Sequence, residues 1–272
     1  MKSKVLLMGA LVLAVVGCGR IASDAEEAAD AVETTETTSN EGALMDLATV
    51  DGSMVSSSCA GLTSERVAEL AEQRLKNNVK ASSCVTAMRA GNTVDYTMNA
   101  CTGKYGKITV TGLVHVVYTA NADCSIDAHA TGSGIKVNKA TIDLDATGRF
   151  TRDAQGVEKI VVQTHSKGGS ENVQLDHSGS YTVTRDASSG SLCRSLEGTW
   201  STDWSAARGS ATTSTQVTGI QRCADACPAA GGKVVHNGFG GRVVTVTFDG
   251  SAVAKWESSK GKSGTIDLEC GQ

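Results

Sequence analysis

Beyond Cys84 the chain alternates apolar and polar residues with period two almost to its end, and no other feature narrows the possible folds as far. Ile108, Val110, Val114, Val116 and Tyr118 fall on one face of such a run, with Thr109 and Thr111 on the other. Val173, Leu175, Tyr181 and Val183 repeat the pattern, as do Val244, Val246 and Phe248 ahead of an Asp249-Gly250 turn. Successive side chains of a strand point to opposite faces, so these runs put one face on a core and the other in water. Short spacing punctuated by Gly, Asn, Asp and Ser makes them antiparallel hairpins. Pro228 is the only proline, so Gly and Asn must make nearly all the turns. Roughly ten to twelve strands are expected, too many for a flat sheet. The expected fold is mainly β, one antiparallel meander sheet curled into an open barrel or sandwich. A single N-terminal amphipathic helix precedes it, capped by Thr63 or Ser64 and running to about Lys80. Val67, Leu70, Ala71, Leu75 and Val79 form its apolar stripe.

The start of the chain has a different character. Met1 to Lys4 carry two lysines and no acid, and Val5 to Val16 are apolar apart from Gly9. This is the layout of a secretory signal, and the apolar run is too short to span a bilayer. It closes on Val15-Val16-Gly17-Cys18, which resembles the lipobox of bacterial lipoproteins: an aliphatic residue, a small or aliphatic one, a small one, then cysteine. The resemblance implies a diacylglyceryl thioether on the Cys18 sulfur, cleavage after Gly17 and an acyl chain on the new amino group. Gly19 stands where the family's inner-membrane retention signal would be Asp. The implied location is thus the bacterial cell envelope, lipid-anchored at the outer membrane, with the membrane as a partner through Cys18.

Residues 19–58 hold nine acids and one base, Arg20, and no aromatic residue. One dominant sign of charge and few large apolar groups predict a disordered, self-repelling spacer. Its reach from the lipid would be on the order of 35 Å. The expected organisation is a signal peptide over 1–17, a lipidated cysteine and acidic tether over 18–58, and one β domain over 59–272. The chain's net charge of −4 comes from the tether. The domain alone is close to neutral and lacks the basic stripe that nucleic-acid binding requires.

Eight cysteines lie beyond the tether: Cys59, Cys84, Cys101, Cys124, Cys193, Cys223, Cys227 and Cys270. In an exported chain an even set reads as up to four disulfides, whose connectivity spacing alone does not decide. Cys223 with Cys227 could close a small loop, and Cys193 with Cys270 the last third of the chain. Cys223-x-x-x-Cys227 lacks the second ligand pair of a structural zinc site, with only His236 nearby, so no metal is expected.

Chemistry-bearing residues are sparse. There is no Gly-x-Ser-x-Gly elbow, no His-Glu-x-x-His, no phosphate-binding loop and no calcium loop, so no cofactor is expected either. His115 and His129 are equidistant from Ala122, and His165 and His177 from Glu171. Symmetric hairpins would set each pair face to face across neighbouring strands. Parity sends His115 and His129 to the water face and places His177 with Leu175 and Tyr181 inside. Trp200 and Trp204 share one strand face and are expected in the core.

Cys101-Thr102-Gly103, Gly198-x-Trp200, Cys223 with Cys227-Pro228, Gly231-Gly232 and the closing Cys270-Gly271 resemble uncharacterised all-β lipoproteins of myxobacteria. That resemblance implies no activity. The expected function is therefore a non-enzymatic binding or structural module that meets an envelope protein. The alternative is carriage of a lipid or other apolar ligand on the curled sheet. A hydrolase using His165 or His177 with an acid such as Asp176 ranks third.

Overall fold

The computed structural model of the chain describes residues 23–29, 31–32, 35, 59, 61–78, 84–102, 108–170, 172–186, 193–207, 209–223 and 226–270, with backbone alone for 74–78. The lipobox and Cys18 lie outside the described residues, as do Val79 and Lys80 at the expected helix end.

Among the described residues, thirteen strands form one sheet in which every strand pairs with its neighbours in sequence. They are β1 (Val85–Ala90), β2 (Thr93–Thr102), β3 (Thr109–Ala120), β4 (Ile126–Val137), β5 (Ala140–Arg152), β6 (Val157–Ser170) and β7 (Val173–Asp186), then β8 (Cys193–Ala206), β9 (Gly209–Cys223), β10 (Lys233–Asn237), β11 (Val243–Thr247), β12 (Val253–Ser258) and β13 (Ser263–Asp267). All pairings are antiparallel, and β1 and β13 do not pair with each other, so the meander stays open. The turns therefore sort into two ends of the sheet. Those after even-numbered strands lie at one end, those after odd-numbered strands at the other.

The period-two reading holds strand by strand. In β5 and β6 buried and exposed residues alternate almost without a break. One buried cluster runs from Val94 and Tyr96 on β2 through Phe150, Val162, Tyr181 and Trp200 to Val246 and Trp256. Among the described residues, two helices pack on this face, one toward each edge of the sheet. Helix α2 (Ser64–Asn78) is capped where Thr63 Oγ1 accepts from the Arg66 N–H at 3.2 Å, and it buries Val67, Ala68 and Ala71. It packs on β1, β2 and β3.

Helix α1, over residues 24–29 and continued at 31, 32 and 35, overturns part of the tether expectation. Ala28, Ala31 and Val32 are fully buried, and so, within 2 %, are the acids Asp24 and Glu27. They find their partners far along the chain. Ser258 Oγ donates to Asp24 at 2.6 Å, Arg242 Nε lies 2.8 Å from Asp24, and the Phe239 N–H donates to Glu27 at 3.0 Å. Buried carboxylates are tolerated when paired in this way, which composition alone does not reveal. The rest of 18–58 lies outside the described residues.

Four disulfides tie the sheet together: Cys59–Cys124, Cys84–Cys101, Cys193–Cys223 and Cys227–Cys270. Neither of the two pairings suggested by spacing occurs. Cys193 and Cys223 face each other in register across β8 and β9, which removes both from the expected pairs.

Candidate functional site

Register assembles the exposed face of the sheet into rows that cross many strands. One row reads Asp145, His165, Ser178, Ser201, Ser214 and Asn237, one residue from each strand of β5 to β10. The adjacent row reads Thr147, Gln163, Ser180, Thr199 and Gln216. Further side chains flank both rows. Arg149, Val161 and Glu197 stand on one side, and Lys167, Asp176 and Asp203 on the other. These two rows line an open groove of about 810 Å³. Five strand spacings give it a length of about 24 Å. Its surface offers hydroxyls and amides that both donate and accept hydrogen bonds.

At one end of the groove stands an imidazole–carboxylate pair. His165 Nε2 lies 2.8 Å from Asp176 Oδ1, and Lys167 Nζ lies 3.2 Å from the other oxygen. The His165 hydrogen bond, followed by that of Lys167, holds the Asp176 carboxyl below its ordinary value. The acid anticipated beside His165 is thus in place. Ser178 faces His165 in register, but no hydrogen bond joins the two side chains. About half of the imidazole is open to water. The three side chains thus form a hydrogen-bonded, half-exposed ionic cluster at the rim of the groove.

The histidine pairs do not form as hairpin symmetry predicts. The β6–β7 register sets Ser166 against His177 and His165 against Ser178, one residue away from the symmetric pairing. A one-residue slip sends a side chain to the other face, so His165 is outside and His177 inside. In the β3–β4 hairpin His115 faces Thr131, and His129 faces Val117. Both point to water as parity required, but they are diagonal neighbours with separate partners. His115 Nδ1 lies 2.6 Å from Asp95, and His129 Nε2 lies 2.7 Å from Asp145.

The covered face carries its own polar seam opposite the groove. His177 Nδ1 lies 2.9 Å from Thr202 Oγ1, and burial lowers its pKa to about 4. Its Nε2, the Thr164 and Ser166 hydroxyls and the Trp200 indole N–H have no hydrogen-bond partner among the described residues. Trp200 is buried, while Trp204 is half-buried, donates to Thr213 at 3.1 Å and stacks at a tilt on Phe239. Thr215 and Glu27 enclose His236, which also belongs to this covered face. Cys223 and Cys227 are each in a disulfide, with Cys193 and Cys270 respectively.

Sequence reasoning missed the groove, because its residues come from six strands and none is individually distinctive. It missed α1 although Ser23 and Glu26 form a capping box, with the Ser23 N–H donating to Glu26 and the Glu26 N–H to Ser23 Oγ. Comparison with protein-family models, with curated proteins and with solved structures finds no match to the chain.

Proposed function

We propose that the chain is a lipid-anchored module of the bacterial cell envelope that binds a hydrophilic, hydroxyl-rich ligand in the groove across β5–β10. The observation that carries this reading is the groove itself, about 810 Å³ and lined chiefly by Ser, Thr, Asn and Gln side chains. Such a lining recognises groups that exchange hydrogen bonds in both directions, as saccharide hydroxyls and acetamido groups do. The lipobox and the four disulfides support an exported chain in an oxidising compartment. Carriage of an apolar ligand has less support. The face that would hold it is filled with buried side chains such as Tyr181 and Trp200.

The test uses the Cys18→Ser chain without its signal peptide, titrated calorimetrically with soluble N-acetylglucosamine oligomers and glucose oligomers. Binding to either series that Ser178→Trp and Ser201→Arg each abolish would support the reading. Both changes fill the groove from the water face and leave the core untouched. Binding that survives both changes, or no binding to either series, would count against it.

A further inference from the structure

We propose that the protein lies close against its membrane on the sheet end that carries the turns after the even-numbered strands, with Lys139, Lys260 and Lys262 turned toward anionic lipid headgroups. The inference rests on the Cys18 anchor proposed above and adds an orientation to it.

The first ground is chain length. Only residues 19–22 separate Cys18 from Ser23, where the described chain begins. Five peptide steps reach at most about 18 Å. A spacer of forty residues would have left the domain free to turn in any direction, but the docked α1 removes that freedom. Asp24 is bound to the sheet one residue after Ser23, so the lipid must leave the molecule near this point.

The second ground is where α1 docks. Its contacts gather at a single end of the sheet. Phe239 and Arg242 belong to the β10–β11 turn, and Ser258 begins the β12–β13 turn. Ser258 Oγ, which donates to Asp24, also accepts from the Lys260 and Lys262 N–H groups at 3.3 Å each. The first turn of α1 and this lysine-bearing turn are therefore one unit.

The third ground is charge. Among the described turns at this end, the exposed ionic residues are Lys139 after β4 and Lys260 and Lys262 after β12. At the opposite end the corresponding residues are Asp123, Asp153 and Asp249, of which Asp123 is paired with Arg149 and Asp249 with Lys255. Glu257 is the exposed acid closest in sequence to the lysine turn. The cationic end is thus the end that the anchor brings to the membrane, and an anionic leaflet attracts Lys within a Debye length of its surface.

The experiment uses the full lipidated chain in vesicles of phosphatidylethanolamine and phosphatidylglycerol that contain an acceptor-labelled lipid. An azide-bearing amino acid at Ser259 or at Gln155, both exposed turn positions at opposite ends, carries the donor dye. The expected result is energy transfer to the bilayer several-fold greater from Ser259 than from Gln155. A Lys260→Glu/Lys262→Glu chain should stay on the vesicles and lose part of the Ser259 transfer. Equal transfer from the two positions, or more from Gln155, would overturn the orientation. Unchanged transfer in the double-glutamate chain would overturn the role of the lysines. Flotation separates the two readings: if the wild-type chain does not float with vesicles, or Cys18→Ser floats equally well, the anchor fails and the orientation with it.

Discussion

Gly179 on β7 faces Trp200 on β8, and Gly198 on β8 faces Tyr181 on β7. A Cβ at Gly179 would lie 2.5 Å from the Trp200 Cβ, and one at Gly198 would press on the Tyr181 Cβ. Each glycine thus makes room for the aromatic ring across from it, at a point where the covered face crowds. Gly198→Ala should destabilise the domain by about 1–3 kcal/mol through overpacking, measurable by urea unfolding. His177 gives a second prediction at this scale. Burial, followed by the charge of His165, lowers its pKa to about 4 from an ordinary 6.5. Between those two pH values the unfolded chain takes up a proton that the folded chain refuses. Stability should therefore be whole above pH 6.5 and fall as pH drops toward 4, by up to about 3 kcal/mol. In His177→Gln the unfolding free energy should lose this slope. A slope that persists in the variant would assign it to another group.

Among the elements, α1 and the sheet edges are the most informative. A Cβ at Gly238 would occupy the place of the Glu27 carboxylate, so Gly238→Ala should loosen α1 without touching the rest of the sheet. Hydrogen exchange would then rise over residues 24–32 and stay unchanged over β5–β7. Two of the disulfides act on the edges, where an open sheet is most exposed to unwanted pairing. Cys84–Cys101 ties β1 to β2, and Cys227–Cys270 returns the chain beyond β13 to the β9–β10 connection. From loop lengths of 17 and 43 residues, removing them should cost about 3 and about 4 kcal/mol respectively in the chain-entropy account. Paired Cys→Ser variants compared by denaturant midpoint would check the order. Strands and α2 were legible because each follows from a local period, in β6 as in Val67 and Ala71. Partnerships between distant residues were not. Asp24 and Glu27 read as solvated spacer because Ser258 and Phe239, which make their burial tolerable, stand more than two hundred residues away. The His165–His177 register failed by a single residue, since symmetry about a midpoint does not decide whether the turn is odd or even.

At the scale of the molecule, the sheet has one face buried in an apolar core, with a described helix toward each edge, and one face left polar with a groove along it. Those faces were predictable from alternation; the groove was not, because its lining is brought together only by the register of six strands. Neighbour-to-neighbour pairing also sets how such a sheet can assemble. Each hairpin closes over a short stretch of chain, so strands can add one after another as the chain emerges, with little entropy spent on distant encounters. Helix α1 is the exception. It is the first of the described elements to be made, yet its partners on β10–β12 are among the last, 212 and 234 residues later by the Glu27 and Asp24 hydrogen bonds. Helix α1 must wait while the rest of the sheet forms, and its docking then marks completion: a chain truncated before β10 should keep its early hairpins and leave α1 without a seat.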